Sequence, residues 1–124
     1  MVLKFIRYTA NPKNETNDCI IRSIANATQT PWENVMREMC DIAIELYNMP
    51  NAYEVAKEYM DRRKYSEEYL RSSEKLTVAE FCQQHPAGNY VVLTEVHAVS
   101  IIDGDVYDLQ NSLYDRVVSY WKVL

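Results

Sequence analysis

Glycine is nearly missing from this chain. There are 2 among 124 residues, with 4 prolines. That scarcity excludes a glycine-rich phosphate loop and leaves room for few tight turns. Cysteine is scarce and odd in number: Cys19, Cys40 and Cys82, with no close pair. Such spacing gives neither a disulfide framework nor a CxxC metal knuckle, and it fits a reducing cytoplasm, of a cell or of an infected host. Positive charge is in deficit, 13 Lys and Arg against 18 Asp and Glu, for a net −5. A nucleic-acid backbone as main partner is therefore not expected, since such binders carry a basic stripe. No apolar run approaches the roughly 20 residues that a membrane helix needs. The opening "MVLKFIRYTANP" alternates like a strand and lacks the basic start, apolar block and small-residue cleavage site of a secretion signal.

What is present suits one domain over residues 1–124: 48% of residues are hydrophobic, enough for a single core. Residues 2–8 read as a strand and 9–18 as a polar loop. A helix is expected from Cys19 to about Ala27, with Ile20, Ile21, Ile24 and Ala25 as its buried stripe and Asn17 or Asp18 as its cap. In "TPWENVMREMCDIAIELYN", Thr30 and Glu33 form a T-x-x-E capping box with Pro31 in the first turn. Its inner side takes Val35, Met36, Met39, Cys40, Ala43 and Leu46. A third helix starts near Asn51, and the charged 66–75 stretch reads as a helix end or loop. "LTVAEFCQQHPAG" repeats the capping pattern with Thr77 and Glu80, and Pro86 and Gly88 stop it. The chain then turns β-branched and aromatic, with a hairpin at Asp103-Gly104. Helices first and strands later predict an α+β fold, the helices packed on a C-terminal antiparallel sheet.

Cys19 stands where a helix begins. A helix N-terminus offers partial positive charge and free amides, which favour a thiolate. A thiol nucleophile also needs a base, commonly histidine, and a third group to orient it. His85 sits at a predicted helix end, where a cation complements the dipole. His97 lies in "EVHAVSII". Strand alternation groups it with Val99 and Ile101, a polar ring among apolar neighbours that needs a partner. Asp108, on the return strand after Asp103-Gly104, reaches a similar height and can hold the ring's tautomer. The amide of Cys19 is one oxyanion donor, and Asn14 or Asn17 is a candidate for a second.

"NDCIIRSIANAT", then "PWENVMREM", "HAVSIIDGDVYDLQNS" and the terminal "RVVSYWKVL" resemble the small papain-like cysteine peptidase domains of bacteria and their phages. The resemblance runs from Asn14 to the end. It implies Cys19 as nucleophile, His97 as base and Asp108 as orienter, acting on an amide, peptide or isopeptide bond through a thioester, without cofactor or metal. The expected partner is a peptide or protein substrate. Papain-like enzymes usually carry a Gln shortly before the Cys; this chain has none before Cys19. That departure supports the alternative, a catalytically degenerate binding protein on the same scaffold that sequesters a host protein or small ligand. A third class is an oligomer subunit whose thiol is incidental.

Plainer roles stand beside these. A lone cysteine is most often a small core residue, and that role is expected for Cys40 and Cys82. Arg22, one helical turn after Cys19, is expected to form a buried ion pair with a helix carboxylate such as Asp41; its alternatives are to steer an acidic substrate or to raise thiolate character. Cys, His and Asp are all zinc ligands, but no short-spaced ligand pair occurs. Tyr47, Tyr53, Tyr59, Tyr65 and Tyr69 read as amphipathic, half-buried side chains. The 57–75 stretch reads as a solvated face or a cover for a cleft.

Overall fold

The computed structural model describes residues 4–8, 18–71, 73–109 and 111–124. Asn14 and Asn17, the candidate oxyanion donors, lie outside the described residues, as does the start of the predicted first strand.

Among the described residues, ten elements follow one another: β1 (Phe5–Arg7), α1 (Cys19–Thr28), α2 (Trp32–Leu46), α3 (Tyr53–Arg62), β2 (Glu67–Tyr69), α4 (Val78–Gln84), β3 (Asn89–Thr94), β4 (Ala98–Ile102), β5 (Asp105–Asp108) and β6 (Val117–Lys122). This is an α+β fold on a six-stranded sheet in the order β1-β5-β4-β3-β6-β2. The sheet is mixed, not antiparallel as expected. β1 runs parallel to β5, with Phe5 opposite Val106, and every other pairing is antiparallel. β1 and β5 are separated by the helical part of the chain, and a crossover of that kind returns a strand parallel.

Side-chain alternation gives the sheet two buried faces. Val91, Ala98 and Trp121 join the α1–α3 side chains Ile24, Met39 and Tyr59 in one core. Val92, Val99, Ile101 and Val117 pack with Val78, Phe81 and Cys82 of α4 in the other. The later helix thus covers the face opposite the first three. No helix among the described residues is long and apolar enough to cross a membrane.

Local chemistry departs from the expected caps in three places. Asp18 occupies the α1 cap position without a side-chain cap bond, because its carboxylate is engaged elsewhere. At α2 the cap position falls on Pro31, in extended backbone, so the Thr30–Glu33 box does not form; the Thr30 hydroxyl accepts from that of Thr28 at 3.0 Å. α3 starts at Tyr53 with Ala52 at the cap. The Thr77–Glu80 box does form, with the Glu80 amide donating to the Thr77 hydroxyl at 3.2 Å and the Thr77 amide to Glu80 at 3.0 Å. On α2, Val35, Met39, Ile42 and Ala43 are buried, whereas Leu46 is exposed at the helix end. The 66–75 stretch, expected as a helix end or loop, contains β2, an edge strand whose Glu67 carboxylate accepts from the hydroxyls of Tyr53 at 2.6 Å and Ser119 at 2.6 Å.

Candidate active site

Cys19 is the first residue of α1 and is half-buried. The buried face of α1 lies across β4 and β3. The Asn26 side-chain amide donates to the Ser100 hydroxyl of β4 at 2.8 Å, a polar link between helix and sheet. That packing brings the start of the helix over the β3–β4 connection, where His97 stands.

His97 directly precedes β4. A turn organised by Thr94 holds its backbone. The Thr94 hydroxyl accepts from the amides of Val96 at 3.2 Å and His97 at 3.0 Å, and donates to the His97 carbonyl at 3.0 Å. The Thr94 amide also donates to that carbonyl, at 2.8 Å. Being outside the strand proper, His97 leaves the apolar face taken by Val99 and Ile101 and borders a pocket instead.

The pocket encloses about 260 Å³. Cys19 and His97 both line it. Ile20, Leu93 and Ala98 supply apolar wall, and Asn51, Tyr53 and Glu95 supply polar groups. Cys19 and His97, 78 positions apart in the chain, therefore border one space.

Asp108 ends β5. The hairpin turn that delivers it has Asp103 at φ 49° and Gly104 at φ 81°, the left-handed pair of a two-residue turn, and Ile102 faces Asp105 across it. In that register Asp108 comes level with the start of β4. His97 Nε2 donates to Asp108 Oδ2 at 2.6 Å, and the Asp108 carboxylate is 1% exposed. Burial pushes the carboxyl of Asp108 up, but the His97 hydrogen bond and charge, the Leu109 amide at 2.7 Å and Arg22 outweigh it and hold the group below its usual range.

Three further residues join the site. Arg22 is buried and pairs with Asp18 at 2.8 Å and Asp108 at 3.2 Å, not with Asp41, which is exposed. Asp18 also accepts from the Trp32 indole at 2.9 Å. Asp115 approaches the other ring nitrogen of His97, Nδ1, at 3.6 Å. For Arg22 and Asp18 a signal existed: their i, i+4 spacing brackets Cys19 on one helical turn. Asp115 lies in a loop whose path no local pattern predicts.

The remaining candidates take plainer places. Cys82 is buried on α4, and burial together with the Asp105 charge pushes its thiol up to about 11. Cys40 is half-buried on α2. His85 closes α4, stacked on Phe81 with ring centroids 4.0 Å apart. Among the described residues, no group of three or more His, Cys, Asp or Glu side chains is arranged to hold a metal ion. Compared with family models, curated proteins and solved structures, the chain matches none.

Proposed function

We propose that this protein is a papain-like cysteine hydrolase acting on an amide, peptide or isopeptide bond. One observation carries the reading: a cysteine at a helix start and a histidine bonded to a buried aspartate border the same open pocket. With Nε2 donating to Asp108, Nδ1 is the nitrogen left to exchange a proton with the thiol. The Cys19 thiolate attacks the carbonyl carbon, forming a C–S bond while the carbonyl electrons move to oxygen. The tetrahedral species collapses, the C–N bond breaks, and the imidazolium of His97 gives its proton to the leaving amine. Water then attacks the thioester as His97 takes its proton, releasing acid and restoring the thiolate. Cys19 begins α1, so its own amide has no intrahelical acceptor and can donate to the oxyanion.

A second reading, a binding protein on the same scaffold, is favoured by the Nδ1 approach to Asp115 at 3.6 Å, which directs that nitrogen toward a carboxylate. Turnover of a peptide and isopeptide panel separates the two. The hydrolase reading expects release by the wild type and none by Cys19→Ala. Equal release by both, or tight ligand capture without turnover by either, contradicts it.

A further inference from the structure

Asp108 uses its two oxygens differently. Oδ2 meets the imidazole, while Oδ1 accepts from the Arg22 guanidinium at 3.2 Å and the Leu109 amide at 2.7 Å. Leu109 is the next residue along the chain, so its amide moves with Asp108. Arg22 belongs to another element, and of these two donors it is the one that ties the carboxylate to α1. Its other terminal nitrogen is held by Asp18 at 2.8 Å, and Asp18 is held in turn by the Trp32 indole of α2.

We propose that Arg22 is a positioning residue of the Cys19–His97–Asp108 site, acting through Asp108 to aim His97 and through Asp18 to fix the helix start that carries Cys19. The proposal rests on the hydrolase reading for its consequence, but its geometry is independent of substrate. A planar fork with two separated N–H groups suits the task, since it can hold two carboxylates at once, whereas an ammonium is a single point. The buried position, 6% exposed, keeps water from competing for either carboxylate. The charged and titratable groups around this cluster include Asp18 before α1, Cys19 at its start, Arg7 of β1 opposite Asp108 of β5, His97 before β4 and Asp115 before β6.

The test uses the full chain with Arg22→Lys and Arg22→Met, and two readouts that a purely structural arginine does not move. The first is the ring-proton and nitrogen resonances of His97, whose Nε2 proton, in a 2.6 Å bond to a carboxylate, is expected far downfield. The second is the rate of iodoacetamide alkylation at Cys19 from pH 5 to 9. Both variants are expected to lose or shift the His97 signal, and alkylation of Cys19 below neutral pH is expected to slow by about 10-fold or more. Arg22→Lys keeps the charge and most of the stem, so it carries the test if Arg22→Met does not fold. A folded Arg22→Lys with unchanged His97 resonances and an unchanged alkylation profile overturns the proposal. His97→Ala is the control for the underlying reading. If that variant leaves the wild-type alkylation profile intact, the hydrolase reading fails, while the Arg22 proposal is still judged by the His97 resonances.

Discussion

His97 Nε2 and Asp108 Oδ2 stand 2.6 Å apart, and the aspartate behind that bond is 1% exposed. A buried carboxylate with such partners makes stability depend on pH. The Asp108 carboxyl titrates below its ordinary range in the folded chain. Its contribution is therefore complete above the unfolded-state value of about 3.9 and is lost as pH falls through the lower folded value. Urea unfolding of the wild type is expected to weaken as pH drops below about 4. Asp108→Asn should flatten that acid dependence and cost about 3 kcal/mol at pH 7, because it leaves Arg22 and His97 short of a partner. Equal acid slopes for the two proteins contradict this assignment.

The three thiols should separate by reactivity. Cys82 is buried, with its thiol pushed up to about 11, so the folded protein should not label there at neutral pH. At mildly acidic pH the label is expected on Cys19, and Cys19→Ala should abolish it while the unfolding midpoint stays within a few degrees. Peptide mapping after brief alkylation checks this. Equal labelling of Cys19, Cys40 and Cys82 only after denaturation would be the contrary result.

Thr94 positions the backbone of His97. Thr94→Val removes the hydroxyl of a buried residue, one that accepts two amides and donates to one carbonyl in the β3–β4 turn. A loss of about 1–3 kcal/mol in urea unfolding is expected, with Thr94→Ser recovering most of it because the hydroxyl returns. Failure of the serine variant to recover more than the valine variant would point to the methyl group instead.

Asp115 stands beside the ring nitrogen that the proposed mechanism assigns to the thiol. Its carboxylate lies 3.6 Å from Nδ1, half-exposed at 31%, and Asp115→Asn removes the charge while keeping the shape. Alkylation of Cys19 at mildly acidic pH is expected to rise in this variant. A fall would instead make Asp115 a supporting member of the site.

Much of the fold was legible because its signals are local. The Thr77–Glu80 box, the α1 stripe and the Asp103-Gly104 turn each depend on residues within one turn or one hairpin. The pairing of His97 with Asp108 followed from that hairpin, since a two-residue turn fixes the register of both arms. What stayed hidden is tertiary. β2 has three residues and owes its place to pairing with β6, so its charged composition reads as a helix end or loop. The parallel β1–β5 pair joins distant segments. Arg22 chose Asp108 over Asp41 because packing α1 on the sheet buries its inner face, and a buried guanidinium takes the carboxylates buried with it. The Thr30 box failed for a stereochemical reason, an extended Pro31 that moves the helix start one residue on.

The central claim is that Cys19 and His97 act on one another within their shared pocket. Its most direct measurement is the rate of Cys19 alkylation against pH in the wild type and in His97→Ala, both checked for native unfolding. The account predicts a wild-type rate at mildly acidic pH well above that of the folded variant. Superimposable profiles for the two folded proteins would contradict it.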